Sequence, residues 1–310
     1  MKLQTVLDWL LGPGQSTAPK PVPVPPKLLE DRCNGCGTCS RECAAFVIEM
    51  REGKPFVARG MDCVECGHCI AVCPAGALYD PLAAKDDNRP YSFNELPSSH
   101  SLQLLFRARR SVRKYKDKPL PKTVLEKILD AGRYAPTGGN RPDVYYIVIT
   151  SPEEIEWLRA NVLESVLKMF RMLLRAAKPT VRIIGKETLE IFEYYIPLLE
   201  GFRDRWNKMG DDRIFYHAPA IMLVHGRKWD DIVAFGNAVA LYQASLMAQT
   251  LKVGCCFNGF LQVAANYDRK IKRRLGIPRN HKCYGAMTLG YEKTQFRRLV
   301  RRRPPQVTWR

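Results

Sequence analysis

The sequence lacks the long apolar run that a membrane span requires. Charged residues make up 26% of the 310 residues, and no stretch approaches the roughly 18 uninterrupted apolar residues that cross a bilayer. No secretory leader is evident either, because residues 1–11 are few, are interrupted by Asp8 and lack a small-residue cleavage site. These absences exclude an integral membrane protein, and we expect a cytoplasmic one.

Acidic residues are scarce relative to basic ones. The chain has 31 Asp and Glu against 49 Lys and Arg, a formal net charge of +18. Such an excess favours an anionic partner, which could be nucleic acid, anionic lipid or an acidic protein. No recognised module with aromatics interleaved among basic residues is present, so we expect no nucleic-acid partner. The 46% hydrophobic content excludes global disorder.

Proline and glycine divide the chain into segments. Residues 13–26 contain six prolines without apolar periodicity, so residues 1–27 are predicted to be a short N-terminal segment and an extended linker. Residues 28–82 are rich in Gly and Cys, which is typical of a small fold held by something other than a core. A second linker is predicted at residues 83–100, and ordinary helix and strand patterns occupy residues 101–310.

The C-terminal segment has the pattern of an α+β domain with a mixed sheet. A helical stripe is formed by Val124, Leu125, Ile128 and Leu129, while residues 145–149 and 221–224 are typical of buried strands. Residues 235–253 are apolar on nearly every face and stop at Gly254, which predicts a central buried helix. Residues 153–212 are predicted to form a helical insertion.

Cysteine is concentrated in two similar runs, which contain eight of the eleven cysteines. Both have the spacing C-x2-C-x2-C-x3-C, and their members are Cys33, Cys36, Cys39 and Cys43, then Cys63, Cys66, Cys69 and Cys73. Thiolates at two-residue gaps can bind successive corners of a cubane cluster. Zinc and disulfides are the alternatives, but zinc sites usually take ligands in separated pairs, and disulfides suit secreted chains.

Residues 28–82 resemble a bacterial two-cluster ferredoxin along their whole length. In such proteins the fourth cysteine of each run binds the other cluster. The resemblance therefore implies two [4Fe-4S] clusters, one held by Cys33, Cys36, Cys39 and Cys73, the other by Cys63, Cys66, Cys69 and Cys43. Ala44 departs from the pattern, since it stands where a proline would follow the first run's fourth cysteine.

The C-terminal segment contains two further motifs that suit an anionic, planar ligand. Residues 109–115 (RRSVRKY) combine cations and a hydroxyl directly after a short predicted helix. They suit a phosphate, although taken alone they are better interpreted as a solvated basic turn. Residues 135–142 (APTGGNRP) form a turn-rich loop before a strand, and the backbone amides of such loops can press against a planar ligand.

Together with residues 254–260 and 289–298, these motifs resemble the FMN-dependent nitroreductase family over roughly residues 101–303. The resemblance implies an intertwined homodimer with FMN at the interface. It implies that the ribityl phosphate and flavin edge are held by Arg109, Arg110, Ser111 and Arg113. It also implies that Arg297 or Arg298 closes over the same phosphate and binds it. It further implies that the ring is approached from the partner subunit by Pro136, Thr137, Gly138 and Asn140, and near N5 by Cys256, Phe257, Asn258 and Gly259. The sequence departs from the family pattern in two places. Pro142-Asp143 replaces the family's usual Gln-Pro-Trp, and residues 153–212 are longer than the minimal fold needs. Both regions usually shape access to the flavin.

Three cysteines and one amphipathic stretch fall outside these motifs. Cys255, Cys256 and Cys283 are interpreted as buried small hydrophobes. Within the insertion, one face is apolar and the other side carries cations, which predicts either a lid over the substrate pocket or a membrane-facing helix. The apolar face comprises Leu163, Val166, Leu167, Phe170 and Leu174, and the cations are Lys168, Arg171, Arg175 and Lys178.

Two clusters on the same chain as a flavin site indicate an iron-sulfur flavoprotein oxidoreductase, because clusters exchange single electrons and FMN accepts them one at a time. Chemistry at the flavin requires no catalytic side chain. The expected donor is an acidic ferredoxin or flavodoxin, or NAD(P)H, and the expected acceptor is a small organic molecule such as a nitroaromatic, quinone or enone. An electron-relay module serving another catalyst, and a peripheral quinone-facing reductase on a membrane, are the alternatives.

Overall fold

The computed structural model describes residues 22–84, 88–177, 186–228 and 230–310. The chain forms two compact units. One extends to Pro97 and includes the loop Thr137–Pro142, and the other comprises Ser98–Pro136 and Asp143–Arg310. The boundary after Pro97 lies within the linker predicted at residues 83–100. The loop Thr137–Pro142 belongs to the same unit as the N-terminal residues, although it lies within the sequence of the larger domain. Residues 1–21 of the predicted N-terminal segment, residues 85–87 of the linker and Lys178 lie outside the described residues.

The N-terminal unit, called the cluster unit below, has very little regular structure. Strand β1 (Lys27–Leu28) pairs antiparallel with β4 (Leu78–Tyr79), and β2 (Ile48–Arg51) pairs antiparallel with β3 (Lys54–Val57). Helices α1 (Thr38–Arg41) and α2 (His68–Ala71) have four residues each. Short 3-10 helices occur at Glu30–Arg32, Gly60–Asp62, Phe93–Glu95 and Gly138–Asn140. Its buried core contains Cys39, Val47, Ile48, Cys69 and Leu78, which is too small a set to hold a fold unaided.

The larger unit is built around a four-stranded sheet with the order β5-β6-β8-β7. The strands are β5 (Tyr145–Ile149), β6 (Ala220–Arg227), β7 (Val253–Phe257) and β8 (His281–Tyr291), and each neighbouring pair is antiparallel. A mixed sheet was expected. Within the described ranges, the parallel component of this sheet is an isolated bridge between Ser111 and Cys255.

Helices cover both faces of this sheet. They are α3 (Ser99–Ala108), α4 (Lys122–Arg133), α5 (Pro152–Ala177), α6 (Lys186–Met209), α7 (Asp231–Thr250), α8 (Gly259–Tyr267) and α9 (Arg269–Arg274). Alternate residues of β6 enter two separate cores: Ile221 and Leu223 pack with α5, α6 and α8, while Met222 and Val224 pack with α4 and α7. Because both faces are covered, β6 is a continuous apolar run rather than an alternating one.

Most predicted elements are confirmed. The apolar stripe lies on α4, where Leu125 and Ile128 are buried, and both predicted strands are present as β5 and β6. Helices α5 and α6 occupy the predicted insertion. The α+β fold is therefore as expected.

The central helix differs from its prediction at both ends. Helix α7 begins earlier, because the carboxylate of Asp230 accepts hydrogen bonds from two amides of its first turn. It ends at Thr250, and the left-handed Lys252 (φ 57°) turns the chain into β7, so Gly254 lies in a strand. The prediction that this helix is buried on nearly every face is also wrong within one chain. The side chains of Ile232, Phe235 and Tyr242 on α7 are exposed.

The amphipathic helix of the insertion faces the core. Leu163, Val166 and Leu167 on α5 are buried, and Phe170 packs against the same cluster. This face is covered by protein, so the interpretation of α5 as a membrane-facing helix is wrong. In the part of the chain that the structure describes, no helix is long and apolar enough to span a bilayer.

Candidate cofactor sites

Two cavities in the cluster unit bring the eight run cysteines together. One is lined by Cys33, Cys36, Cys39 and Cys73. The other is lined by Cys43, Cys63, Cys66 and Cys69. Each cavity thus combines three cysteines of one run with the fourth of the other. Since α1 packs against α2, the end of each run reaches the neighbouring cavity.

Backbone amides point at cysteine sulfurs in the same way in both halves of the unit. The amide of Val47 donates to Sγ of Cys43 at 3.4 Å, and the amide of Ala77 donates to Sγ of Cys73 at 3.2 Å. Glycines in left-handed conformation, Gly37 and Gly67, begin the two short helices. Amide hydrogen bonds to sulfur stabilise the negative charge of an iron-sulfur cluster, so these residues fit such a group.

The cysteines are not arranged as a mononuclear metal site. Among the described residues, no group of three or more His, Cys, Asp or Glu could hold a metal ion. A cubane keeps its four thiolates further apart than one zinc ion does, so this arrangement fits a cluster better. Burial raises the pKa of Cys69 to about 11, so a cluster held by this thiol would have to displace its proton.

The basic turn of residues 109–113 is attached to the edge of the larger unit's sheet. The amide of Val112 donates to the carbonyl of Cys255 at 2.9 Å, next to the bridge formed by Ser111. Gly254 permits this approach, because a Cβ there would lie 2.6 Å from Cγ2 of Val112. Gly254 is therefore a packing glycine.

A buried hydrogen-bond chain fixes the other side of the turn. The hydroxyl of Tyr115 donates to the carbonyl of Val112 at 2.8 Å and lies 2.8 Å from the hydroxyl of Thr288. Thr288 in turn donates to the carbonyl of Cys256 at 3.3 Å. Burial raises the pKa of Tyr115 far above its usual value, so the phenol stays protonated.

The arginines of the turn have unused hydrogen-bonding capacity. Nη1 of Arg109 and Nη2 of Arg110 are buried and have no hydrogen-bond partner among the described residues. A buried unsatisfied donor costs about 1–3 kcal/mol, so these groups fit an anion that would accept from them. Arg113 is exposed and lies near Cys256 and the ring of Tyr216, 5.8 Å from its centroid.

Residues 256–259 lie beside the same arginines. The ring of Phe257 is 41% exposed, with Cζ of Arg109 at 5.7 Å from its centroid, and a Cβ at Gly259 would meet open space. Asn258 is different, because its amide side chain is fully engaged. It accepts from the amide of Leu261 at 2.9 Å and donates to the carbonyl of Ile214 at 2.6 Å, which caps α8. Its backbone amide is engaged as well, since it donates to the carbonyl of Ala286 at 2.8 Å.

Two other predicted groups form no hydrogen bond with the basic turn among the described residues. The loop Thr137–Pro142, which follows Pro136 and includes Gly138, belongs to the cluster unit. There Nδ2 of Asn140 donates to the carbonyls of Val64 and Glu65, at 3.0 and 2.9 Å. Arg297 and Arg298 are exposed and form no hydrogen bond or ion pair within the ranges that the structure describes. Closure of one of them on a phosphate stays a prediction.

Family models match both parts of the chain. The model of the nitroreductase family matches residues 106–291, which is more than half of the sequence. The chain belongs to the nitroreductase family. A 4Fe-4S dicluster domain matches residues 32–78 of the same chain. The prediction of a nitroreductase-family oxidoreductase with an N-terminal ferredoxin-type domain is confirmed.

Known proteins are similar to one part of the chain or the other. An uncharacterized ferredoxin of Methanocaldococcus jannaschii is 44% identical over 48 residues, 15% of this chain and 77% of the relative. A polyferredoxin-like protein of the same organism is 41% identical over 61 residues, 20% of this chain and only 26% of that relative. A nitroreductase with bound FMN from Bacteroides fragilis has a TM-score of 0.49 and 23% identity, and covers 67% of this chain and 98% of that one.

Several residues around the nitroreductase domain's basic turn were not predicted. Tyr216 and Thr288 contact the turn or its strand, but both are more than 100 residues away in sequence and carry no local motif. The role of Gly254 was assigned wrongly, since a glycine after an apolar run is also typical of a helix end. Cys255, Cys256 and Cys283 are buried as predicted, and burial raises the pKa of Cys255 to about 11.

Proposed function

We propose that this chain is an iron-sulfur flavoprotein oxidoreductase that binds two [4Fe-4S] clusters and FMN and reduces a small organic acceptor. The observation that carries the proposal is the division of eight cysteines into two cavities, four around each, on the same chain as a nitroreductase domain. Such clusters supply single electrons, and bound FMN would take them up one at a time and deliver them as a pair.

The cluster ligands in this proposal are the cysteines that line each cavity. The amides of Val47 and Ala77 would hold negative charge on the sulfurs of Cys43 and Cys73. Crossed ligation ties the two runs together, which supports a unit whose own apolar core is small.

The FMN phosphate would be held by the basic turn. Arg109 and Arg110 would satisfy their buried, unpartnered donors on it, with Ser111 and Arg113 alongside. The cationic turn would also stabilise negative charge on the reduced ring, and the open space at Gly259 leaves room for a planar ligand beside Phe257. Arg297 or Arg298 would close on the same phosphate.

A homodimer is supported by the apolar surface of the nitroreductase domain. Helices α3 and α7 contact each other, and both expose large apolar side chains. The C-terminal segment exposes more of them. The exposed residues are Leu102, Leu104, Phe106, Ile232, Phe235, Tyr242, Phe296, Leu299, Val300, Val307 and Trp309. Apolar surface of this extent usually marks a protein interface.

The proposed acceptor is a planar organic molecule, such as a nitroaromatic, quinone or enone. Aromatic rings of α5, α6 and α8 pack edge to face near the proposed flavin position, since Phe260 directly follows Gly259. Tyr194 extends this group and is 66% exposed. Exposed aromatic rings favour stacking of a flat acceptor.

The proposed donor is an acidic ferredoxin or flavodoxin, with NAD(P)H as the small-molecule alternative. Residues 28–82 carry five Lys and Arg against eight Asp and Glu, whereas residues 83–310 carry 41 against 22. Two anionic clusters would make the cluster unit still more negative. Long-range attraction of an acidic carrier would therefore come from the basic part of the chain.

The test is the cofactor content of protein purified without oxygen. We expect about eight irons, eight acid-labile sulfides and one FMN per chain, from four irons per cubane. Cys73→Ser should damage the cluster of the first run, and Cys43→Ser that of the second, whereas the buried Cys283→Ser should keep all the iron. Zinc in place of iron, or absence of flavin, would reject the corresponding half. A loaded protein that reduces no organic acceptor would favour the electron-relay alternative.

A further inference from the structure

The two cysteine runs differ at the residue that precedes the second cysteine. In the first run this residue is Gly35, with φ of 72°, and a Cβ there would lie 2.8 Å from the carbonyl oxygen of Gly53. In the second run it is Glu65, which has the same left-handed backbone with φ of 53°. A residue with a side chain is strained in this region, so other contacts must hold Glu65 there.

Two contacts from outside the run hold this turn. Nδ2 of Asn140 donates to the carbonyls of Val64 and Glu65, and the Glu65 carboxylate accepts from the amide of Val24 at 2.9 Å. The first run is held differently, since the amide of Cys36 donates to Oδ1 of Asn34, two residues away, at 3.2 Å. The second turn therefore depends on a residue 75 positions away in sequence.

The turn carries an amide that faces a cluster ligand. The amide of Glu65 donates to Sγ of Cys63 at 3.4 Å. Its direction depends on the left-handed backbone of Glu65, because the preceding peptide plane rotates with φ. Hydrogen bonds to cysteine sulfur are among the groups that set the reduction potential of an iron-sulfur cluster.

We propose that Asn140 is a positioning residue for the second cluster: it clamps the carbonyls of Val64 and Glu65 and so keeps the Glu65 amide on the sulfur of Cys63. This inference rests on the proposed function for the presence of the cluster. Its effect is to stabilise the more negative, reduced cluster and to raise its reduction potential.

The first experiment compares Asn140→Ala with Asn34→Ala in anaerobically purified, cluster-loaded protein. Each cluster's potential is followed through the shifted NMR signals of its own cysteine β-protons. We expect Asn140→Ala to shift the reduction equilibrium of the second cluster roughly tenfold toward the oxidised form. This corresponds to a reduction potential lower by about 59 mV for one electron, and the potential of the first cluster should not change. Asn34→Ala should move only the first cluster. Unchanged potentials in Asn140→Ala protein with full iron content would overturn the proposal.

A double-mutant cycle tests the clamp itself. Glu65→Gly removes the backbone penalty, so Asn140→Ala should have a much smaller effect in that background. Amide hydrogen exchange at residues 64–66 should accelerate in Asn140→Ala and less so in the double variant. An equal shift in both backgrounds, or an equal shift of both clusters, would assign Asn140 a general structural role instead. Wild-type protein without iron would reject the proposed function rather than this inference.

Discussion

Replacement of Arg109 by alanine should separate cofactor binding from fold stability. Nη1 of this arginine is buried without a partner, which in flavin-free protein costs about 1–3 kcal/mol. A bound phosphate would accept from it, and a charge-assisted hydrogen bond contributes about 1.5–3 kcal/mol. We therefore expect Arg109→Ala to weaken FMN binding by roughly ten- to a hundredfold, with little loss of stability in the flavin-free protein.

The assay is a titration of FMN into flavin-free protein, followed by quenching of flavin fluorescence, next to thermal unfolding of the same samples. Arg107→Ala is the matched control, since Arg107 is an exposed arginine in the last turn of α3. It should bind FMN as the wild type does. Arg109→Lys should give an intermediate affinity, because it keeps the charge and loses the forked donors.

Two results would refute this reasoning. Wild-type affinity in Arg109→Ala would mean that the turn is a basic surface and not a phosphate site. A large fall in the unfolding temperature of the flavin-free variant would mean that Arg109 is held by contacts with Cys255 and Phe257 and serves the fold. Iron content should be the same in all three variants.

Three further predictions concern other parts of the chain. Gly254→Ala should displace Val112 and the basic turn, because the added Cβ would clash with Val112. The free energy of unfolding should fall by about 1–3 kcal/mol, and FMN should bind more weakly. Unchanged values in denaturant and FMN titrations would contradict the packing role of Gly254. Burial, together with the neighbouring His281, lowers the pKa of His225 to about 4 from 6.5. The neutral ring is thus favoured in the folded state, so stability should be full above pH 6.5 and fall by about 3 kcal/mol toward pH 4. Urea unfolding of His225→Asn should lack this slope. Reduction by an acidic ferredoxin should slow several-fold from low salt to about 0.3 M salt. This salt dependence should be weaker in a variant with serine at residues 301–303. Salt-insensitive kinetics with tight binding to anionic vesicles would favour a membrane-bound enzyme instead.

The chemistry of this protein could be predicted from the sequence because its determinants are local. The spacing of Cys33, Cys36 and Cys39 is a property of a few adjacent residues, and so is the density of cations in residues 109–113. The α4 stripe and the apolar runs of β5 and β6 are equally local, since their periods follow from helix and strand geometry. Family and fold class follow from such patterns, whereas the residues of the two cofactor sites stay a prediction.

Tertiary structure decided which local groups are free to bind and which are already engaged. Asn140 and Asn258 have the same side chain, yet one holds the carbonyls of Val64 and Glu65 and the other caps α8. Tyr115 and Thr288 meet across 173 residues of sequence, and Gly254 is required by a side chain of a distant turn. A hydrogen bond depends on where the chain brings two groups, so no pattern within a short window contains it.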